Sequence, residues 1–402
     1  MGRRRVLFVA EAATLAHVAR LVALASSLDP AAYQVRLATD LRYSNAIGSV
    51  GFDVVPLRTM PSAQFFRAIS RGDPIFDAAT LSSYVEEDLR VIGEFKPDVI
   101  VGDFRVSLGI SARVGNVFYV NLTNAYWSPY ARVRWVVPEI ALTRAIGARM
   151  GQVLFDLSRR TVLRFHAVPV NKVRRRFGLP ALPPDFRYAL TDGDVTLYAD
   201  VPELIPTERL PPSHRFIGPV YWSAPVPLPP WWPDVIARQR QEPAVYVTLG
   251  SSGPKDVLER VLDALATLPV TAIVSAAGSY AGLRSPSNAF VASYLPGHEA
   301  AKLASLVICN GGSPTAYQGL ALARPVLGLA SNMDQFLNMS AVEHAGCGKL
   351  LRSRCSVPQI RSAVRAILQD LSVTATTEKV AQVLGRYSAL DAVRDTLGEI
   401  FG

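Results

Sequence analysis

Strand-sized apolar runs that are continuous rather than alternating recur along this chain, in two series separated by a proline-rich stretch. A strand that is apolar at successive positions is covered on both faces, and that is the situation of a parallel sheet packed between helices. The first series comprises Arg5–Ala10, Gln34–Thr39, Asp53–Leu57, Asp98–Gly102, Val117–Asn121 and Val195–Ala199. The second comprises Val245–Leu249, Ala272–Ala276, Ala289–Leu295, Leu306–Cys309, Val326–Ala330 and Lys349–Leu351. Helical patterns fall between them; Val18, Leu21, Val22, Ala25 and Leu28, for example, share one helical face. The expected fold class is therefore α/β, with two doubly wound domains facing a cleft.

The chain has 402 residues, enough for two full cores. Eight prolines fall between Arg209 and Asp234, together with Trp222, Trp231 and Trp232, and no periodicity survives there. The expected division is an N-terminal domain over 1–208, a linker over 209–240, a C-terminal domain over 241–380, and a last helix over 381–402 packing back toward the first domain. The segment from Ala131 to Arg176 is richer in arginine and aromatics and reads as helical excursions. The three cysteines, Cys309, Cys347 and Cys355, have neither metal-ligand spacing nor even pairing, which suits a reducing, cytoplasmic setting. The basic start Met1–Arg5 leads into an apolar run too short for a signal peptide, and no stretch is long enough to span a membrane. The net charge is +9. Such a surface suits peripheral contact with an anionic membrane, although a solvated arginine-rich face is the plainer reading. No basic stretch carries interleaved aromatics or a recognition-helix pattern, so nucleic acid is not an expected partner.

The most specific segment is Cys309-Asn310-Gly311-Gly312-Ser313-Pro314-Thr315. A buried strand stops at two glycines, Ser313 reads as a helix N-cap, and Pro314 suits the first helical position. A helix N-terminus after such a turn directs backbone N–H groups and the helix dipole at an anion. A short helix, Ala316 to Ala323, and another strand then lead to Asp334-Gln335, beyond the carboxyl end of that strand, where ligands of open α/β sheets bind. Gly250-Ser251-Ser252, after the strand Val245–Leu249, offers a second glycine-serine turn through which amides can approach phosphate oxygens.

Together these residues resemble the nucleotide-sugar glycosyltransferases with two Rossmann-like domains, the GT-B architecture, in the bacterial macrolide and natural-product branch of the UDP-glycosyltransferase family. The resemblance spans nearly the whole chain and is strongest from Val245 to Gly346. It implies diphosphate contacts from Gly250, Ser251, Ser252, Asn310, Gly311, Gly312, Ser313 and Thr315. Tyr294 and Pro296, in Tyr294-Leu295-Pro296-Gly297, would present the nucleobase platform, with Gly297 replacing a usual polar residue. Asp334 and Gln335 would grip the transferred sugar, with Asn338 one turn further on. Asn310 stands where the family pattern has histidine, so it offers a neutral amide to the leaving diphosphate. His17, at the start of the first helix, matches the family's general base, and Asp103 matches its acidic partner.

The resemblance thus implies a metal-independent, inverting transfer from a UDP- or dTDP-sugar to a lipophilic alcohol or phenol, with the nucleotide sugar as co-substrate and no resident cofactor or metal. Two other readings stand beside it: a non-catalytic nucleotide-sugar-binding protein of the same fold, favoured by Asn310, and a nucleotide-sugar epimerase. Asp192-Gly193-Asp194 has the form of a metal-binding Asp-x-Asp but precedes a strand, where a plain turn is expected. The acceptor, the sugar, the choice between uridine and thymidine and the oligomeric state are not legible at this level.

Overall fold

The computed structural model describes residues 2–250, 253–276 and 282–402. The chain divides into two compact units, one of residues 1–132, 140–220 and 388–402, the other of 133–139 and 221–387.

Among the described residues, the first unit holds a seven-stranded sheet: β1 (Arg4–Ala10), β2 (Tyr33–Thr39), β3 (Asp53–Pro56), β4 (Val99–Asp103), β5 (Phe118–Thr123), β6 (Val195–Tyr198) and β7 (His214–Phe216). Every pairing is parallel and the spatial order is β3-β2-β1-β4-β5-β6-β7. Val6 to Ala10 and all of β4 are buried, so the central strands are covered on both faces. The helix Leu15–Ser26 follows β1 and buries Val18, Leu21, Val22 and Ala25, one stripe at helical spacing. A second core forms under the helix Ala78–Phe95, where Leu81, Tyr84 and Val85 meet Ala167, Val170 and Val173 of the 29-residue helix Ala148–Arg176. The final helix, Ala389–Phe401, belongs to this unit and buries Val393 and Leu397.

The second unit holds a six-stranded sheet: β8 (Ala244–Thr248), β9 (Thr271–Ser275), β10 (Ala289–Ala292), β11 (Leu306–Cys309), β12 (Val326–Ala330) and β13 (Gly348–Arg352), parallel throughout, in the order β10-β9-β8-β11-β12-β13. Val257, Leu258, Val261, Leu262 and Leu265 of the helix Lys255–Leu265 line its core with Ile360, Val364 and Ile367 of the helix Val357–Gln369. Each such side chain contributes about 1.5–3 kcal/mol of gross burial, before entropy is counted.

Two differences from the sequence reading are physical in origin. The proline-rich stretch carries two elements, β7 and the helix Trp232–Gln239. A three-residue edge strand is too short to show a period, and Pro233 sits in the first turn of that helix, where a proline costs nothing. The other concerns the helix after the glycine turn. It runs Ser313–Ala321 with Gly312 as N-cap, so Ser313 is its first residue and not its cap, and it starts three residues before the sequence suggests.

Candidate functional site

In an open parallel sheet the strand order reverses at one point, and a crevice opens there beyond the carboxyl ends of the two diverging strands. In the first unit that point lies between β1 and β4, and in the second between β8 and β11. His17 and Asp103 stand at the first, Gly250 and Asn310 to Thr315 at the second, while Tyr294 and Pro296 follow β10 and Asp334 and Gln335 follow β12.

His17 stands in the first turn of the helix after β1, and Asp103 is the last residue of β4. Their side chains meet, with His17 Nδ1 2.8 Å from Asp103 Oδ1. Asp103 is buried, whereas His17 is partly exposed. A carboxylate at Nδ1 favours the tautomer with the proton on Nδ1, which leaves Nε2 as the basic nitrogen. Phe104 follows Asp103 in the left-handed region, at φ 58°, and its ring stacks on the imidazole with centroids 4.8 Å apart. For a bulky side chain this backbone conformation is strained, and such strain concentrates at functional sites.

The sequence reading missed Arg20. One helical turn beyond His17, its buried guanidinium donates from Nε to Asp103 Oδ2 at 2.8 Å and from Nη2 to Oδ1 at 2.9 Å. It also donates from Nη1 to Asn124 Oδ1 at 2.8 Å, and Asn124 in turn donates to both oxygens of Asp200. Burial, the largest single influence, would lower the Arg20 pKa; the charge and hydrogen bonds of Asp103, with Tyr126 and Asp200, together outweigh it and the net shift is upward, so the group stays charged. The signal was an arginine at i+3 from a candidate histidine, inside an otherwise apolar helix face.

A second buried ionic group, also absent from the sequence reading, is built on the segments that follow the same two strands. Arg105 Nη1 donates to Glu11 Oε2 at 3.0 Å, and Arg105 Nε donates to Asp88 Oδ1 at 3.1 Å. Ser107 and Ser111 donate to the other oxygen of Asp88, and the Met60 amide donates to Glu11. Burial pushes the carboxyls of Glu11 and Asp88 upward, against the opposing pull of Arg105. Glu11 directly follows β1 and Arg105 follows β4, so this group ties the two strand ends together.

In the second unit Cys309 of β11 is in register with Thr248 of β8 and Gly328 of β12, which sets the loops after three adjacent strands side by side. Gly250 adopts φ 66° and Gly311 φ 87°, conformations that favour glycine. Ser251 and Ser252 lie outside the described residues. The Asn310 Nδ2 is 3.5 Å from where a Cβ on Gly250 would stand, so the two loops touch. Within the turn the Gly311 amide donates to Cys309 Sγ and the Gly312 amide to Asn310 Oδ1, at 3.2 and 3.0 Å. Both glycine amides are therefore engaged internally, and Ser313 and Thr315 follow in the first turn of the helix.

Asp334 and Gln335 open the helix Met333–His344. Asn332 is its N-cap and accepts from the Gln335 amide, while Gln335 Oε1 accepts from the amides of Ser331 and Asn332 in a capping box. The side-chain carbonyl of Gln335 thus serves the fold, and Asp334 beside it is half-buried. Asn338 is structural as well, donating from Nδ2 to the Gly311 carbonyl at 2.9 Å and tying the glycine turn to this helix. Tyr294 is exposed after β10, and Pro296 caps the helix Gly297–Leu303. A Cβ on Gly297 would stand 2.7 Å from Gln318 Oε1, so the glycine makes room for an amide from the neighbouring helix. Asp192 is held by Arg113 and Arg174, and Asp194 accepts from the Tyr119 amide; neither is disposed as a metal ligand. Among the described residues no cluster of three or more His, Cys, Asp or Glu could hold a metal.

Solved structures share this architecture. The spinosyn rhamnosyltransferase SpnG, complexed with thymidine diphosphate, matches with a TM-score of 0.71 at 20% identity, over 98% of this chain and 100% of that one. The spinosyn forosaminyltransferase SpnP matches with a TM-score of 0.69 at 20% identity over the whole of both chains. The fold is that of the two-domain, GT-B glycosyltransferases. Sequence relatives carry the assignment further. A "PGL/p-HBAD biosynthesis rhamnosyltransferase" of Mycobacterium bovis BCG is 47% identical over 96% of this chain and 85% of the relative. A "PGL/p-HBAD biosynthesis glycosyltransferase" of Mycobacterium tuberculosis H37Ra is 46% identical over 95% and 89%. The chain belongs to this family of glycosyltransferases and is an enzyme of that class. A relative from M. bovis BCG named an inactive PGL/p-HBAD biosynthesis glycosyltransferase is 45% identical over 65% of this chain and 71% of its own length. No family model matches the chain. The epimerase reading is set aside by these relatives.

Proposed function

We propose that this glycosyltransferase moves a sugar, rhamnose or a related deoxyhexose, from a UDP- or dTDP-sugar to the hydroxyl of a lipophilic alcohol or phenol, with inversion and without a metal. The observation that carries the mechanism is the His17–Asp103 contact at the switch point of the first sheet, braced by Arg20. His17 Nε2 takes the proton of the acceptor hydroxyl as its oxygen attacks the anomeric carbon. The bond from that carbon to the diphosphate oxygen breaks, and the nucleoside diphosphate leaves with the electron pair. Asp103 holds the imidazole in register and stabilises its protonated form. The helix that starts at Ser313, with Thr315 in its first turn, faces the charge that develops on the leaving group. Tyr294 and Pro296 serve the base, and Asp334 with the Gln335 amide nitrogen serves the sugar. The reading is supported by the name of the M. bovis BCG relative, a PGL/p-HBAD biosynthesis rhamnosyltransferase, and by the thymidine diphosphate of SpnG, a ligand of the proposed class.

The test separates base from binding. His17→Ala is expected to retain donor affinity by calorimetry and to lose about two to four powers of ten in turnover. Unchanged turnover would remove the mechanism. On the donor side, Asp334→Ala should weaken a complete nucleotide sugar by about 1–3 kcal/mol and leave the free nucleoside diphosphate unaffected, whereas Thr315→Ala should weaken both. Equal losses for both ligands in Asp334→Ala would make that residue structural.

A further inference from the structure

The helix Ala148–Arg176 has two apolar faces, and the fold uses one. Ala167, Val170 and Val173 turn inward to the core of the first unit. On the opposite side Met150, Val153, Leu154, Leu157, Phe165 and Val168 are exposed, Leu157 to 80% and Phe165 to 55%. At 100° per residue these six fall in a sector about 120° wide, centred opposite the packed face, and run for about 27 Å along the helix. Six large apolar side chains gathered on one helix face, interrupted only by Thr161 and Arg164, mark a binding surface, whereas scattered exposed residues do not.

The charge around the stripe identifies the occupant. The helix carries eight Arg or Lys and one acid, Asp156. Arg149 and Arg160 flank the stripe on one side, Arg164 lies within it between Leu157 and Phe165, Lys172 and Arg175 stand at its end, and all five are exposed. None of the five forms an ion pair among the described residues. No helix among those residues is long and apolar enough to cross a membrane. An apolar stripe bordered by basic residues on a helix too polar to span is the pattern of a helix lying in the interfacial plane of an anionic bilayer. A second copy of the chain would instead bring like charges together across the two-fold axis.

We propose that the exposed face of the helix Ala148–Arg176 docks the enzyme on an anionic membrane surface, with the Leu157 stripe in the acyl boundary and the arginines among lipid headgroups. The full chain should float with vesicles of phosphatidylcholine containing about 30% phosphatidylglycerol and not with phosphatidylcholine alone, and added salt should lower the bound fraction. The double variant Leu157→Glu, Phe165→Glu should lose about tenfold or more of that binding while keeping its melting temperature and its turnover on a water-soluble acceptor. Arg160→Glu with Arg164→Glu should lose the anionic preference. Absence of binding to anionic vesicles, or binding that survives Leu157→Glu with Phe165→Glu, overturns the proposal. So does a wild-type dimer that this double variant dissociates, since a second copy would then cover the stripe.

Discussion

Arg20 shows how much of the proposed catalytic group depends on a residue that would touch no reacting atom. Its fork occupies both oxygens of Asp103, so the carboxylate that orients His17 has one available position. Arg20→Met should therefore lower turnover by about ten- to a hundredfold with little change in donor affinity, through loosened geometry at His17. It should also destabilise the first unit, because removing one partner of a buried ion pair typically costs about 3–5 kcal/mol. Arg20→Lys keeps the charge and loses the fork, and should recover stability more than turnover. Thermal melts and steady-state kinetics on the two variants check both halves; equal recovery of both would mean that the charge alone matters. At this scale the sequence offered His17, Asp103, Gly311 and Asp334 as candidates because each sits at a strand end or a glycine turn, where local pattern is informative. Arg20, Arg105 and Asn124 were hidden. Their carboxylate and amide partners stand 17 or more positions away, and for Arg20 the only local trace is its i+3 spacing from His17.

Elements in this fold approach closely enough for single glycines to decide them. A Cβ on Gly348, at the start of β13, would stand 1.9 Å from the Val326 carbonyl oxygen of β12, a backbone atom that cannot move without breaking the ladder. On Gly328 a Cβ would stand 2.4 Å from Met339, a flexible side chain. Gly348→Ala should thus be the more damaging, by several kcal/mol or failure to fold, while Gly328→Ala costs about 1–3 kcal/mol as Met339 re-packs. Denaturant titration of both variants gives the comparison, and a reversed order would mean that the β12–β13 edge yields more readily than the Met339 site. The capping box at Asn332 and Gln335 belongs to the same scale. An Asp-Gln pair legible as a ligand motif is also a helix start, and structure alone separates the Gln335 carbonyl, already engaged, from its amide nitrogen.

Across the whole molecule the chain is not collinear with its units. The final helix, Ala389–Phe401, contacts the helix Leu15–Ser26, and Arg215 of β7 pairs with Glu399 at 2.7 Å. Val133–Glu139 joins the second unit, where Glu139 accepts from Ser353 Oγ at 2.7 Å and Val137 from Arg352. Ending the chain at Tyr387 should therefore destabilise the first unit by several kcal/mol, through exposure of the surface that Val393 and Leu397 cover, and leave nucleoside diphosphate binding by the second unit intact. Melting curves with and without that ligand distinguish the two effects; loss of ligand binding together with stability would contradict the division into units. The sequence by itself determined the α/β class, the two series of parallel strands and the glycine turns at their ends. Those properties are written in neighbouring residues, as continuous burial, helical spacing and backbone freedom. Only the tertiary structure decided which strand ends diverge, which charges meet there and which apolar face of the helix Ala148–Arg176 is left uncovered. Those depend on strand order and on packing between distant segments, and an apolar residue in sequence looks the same whether a core or nothing covers it.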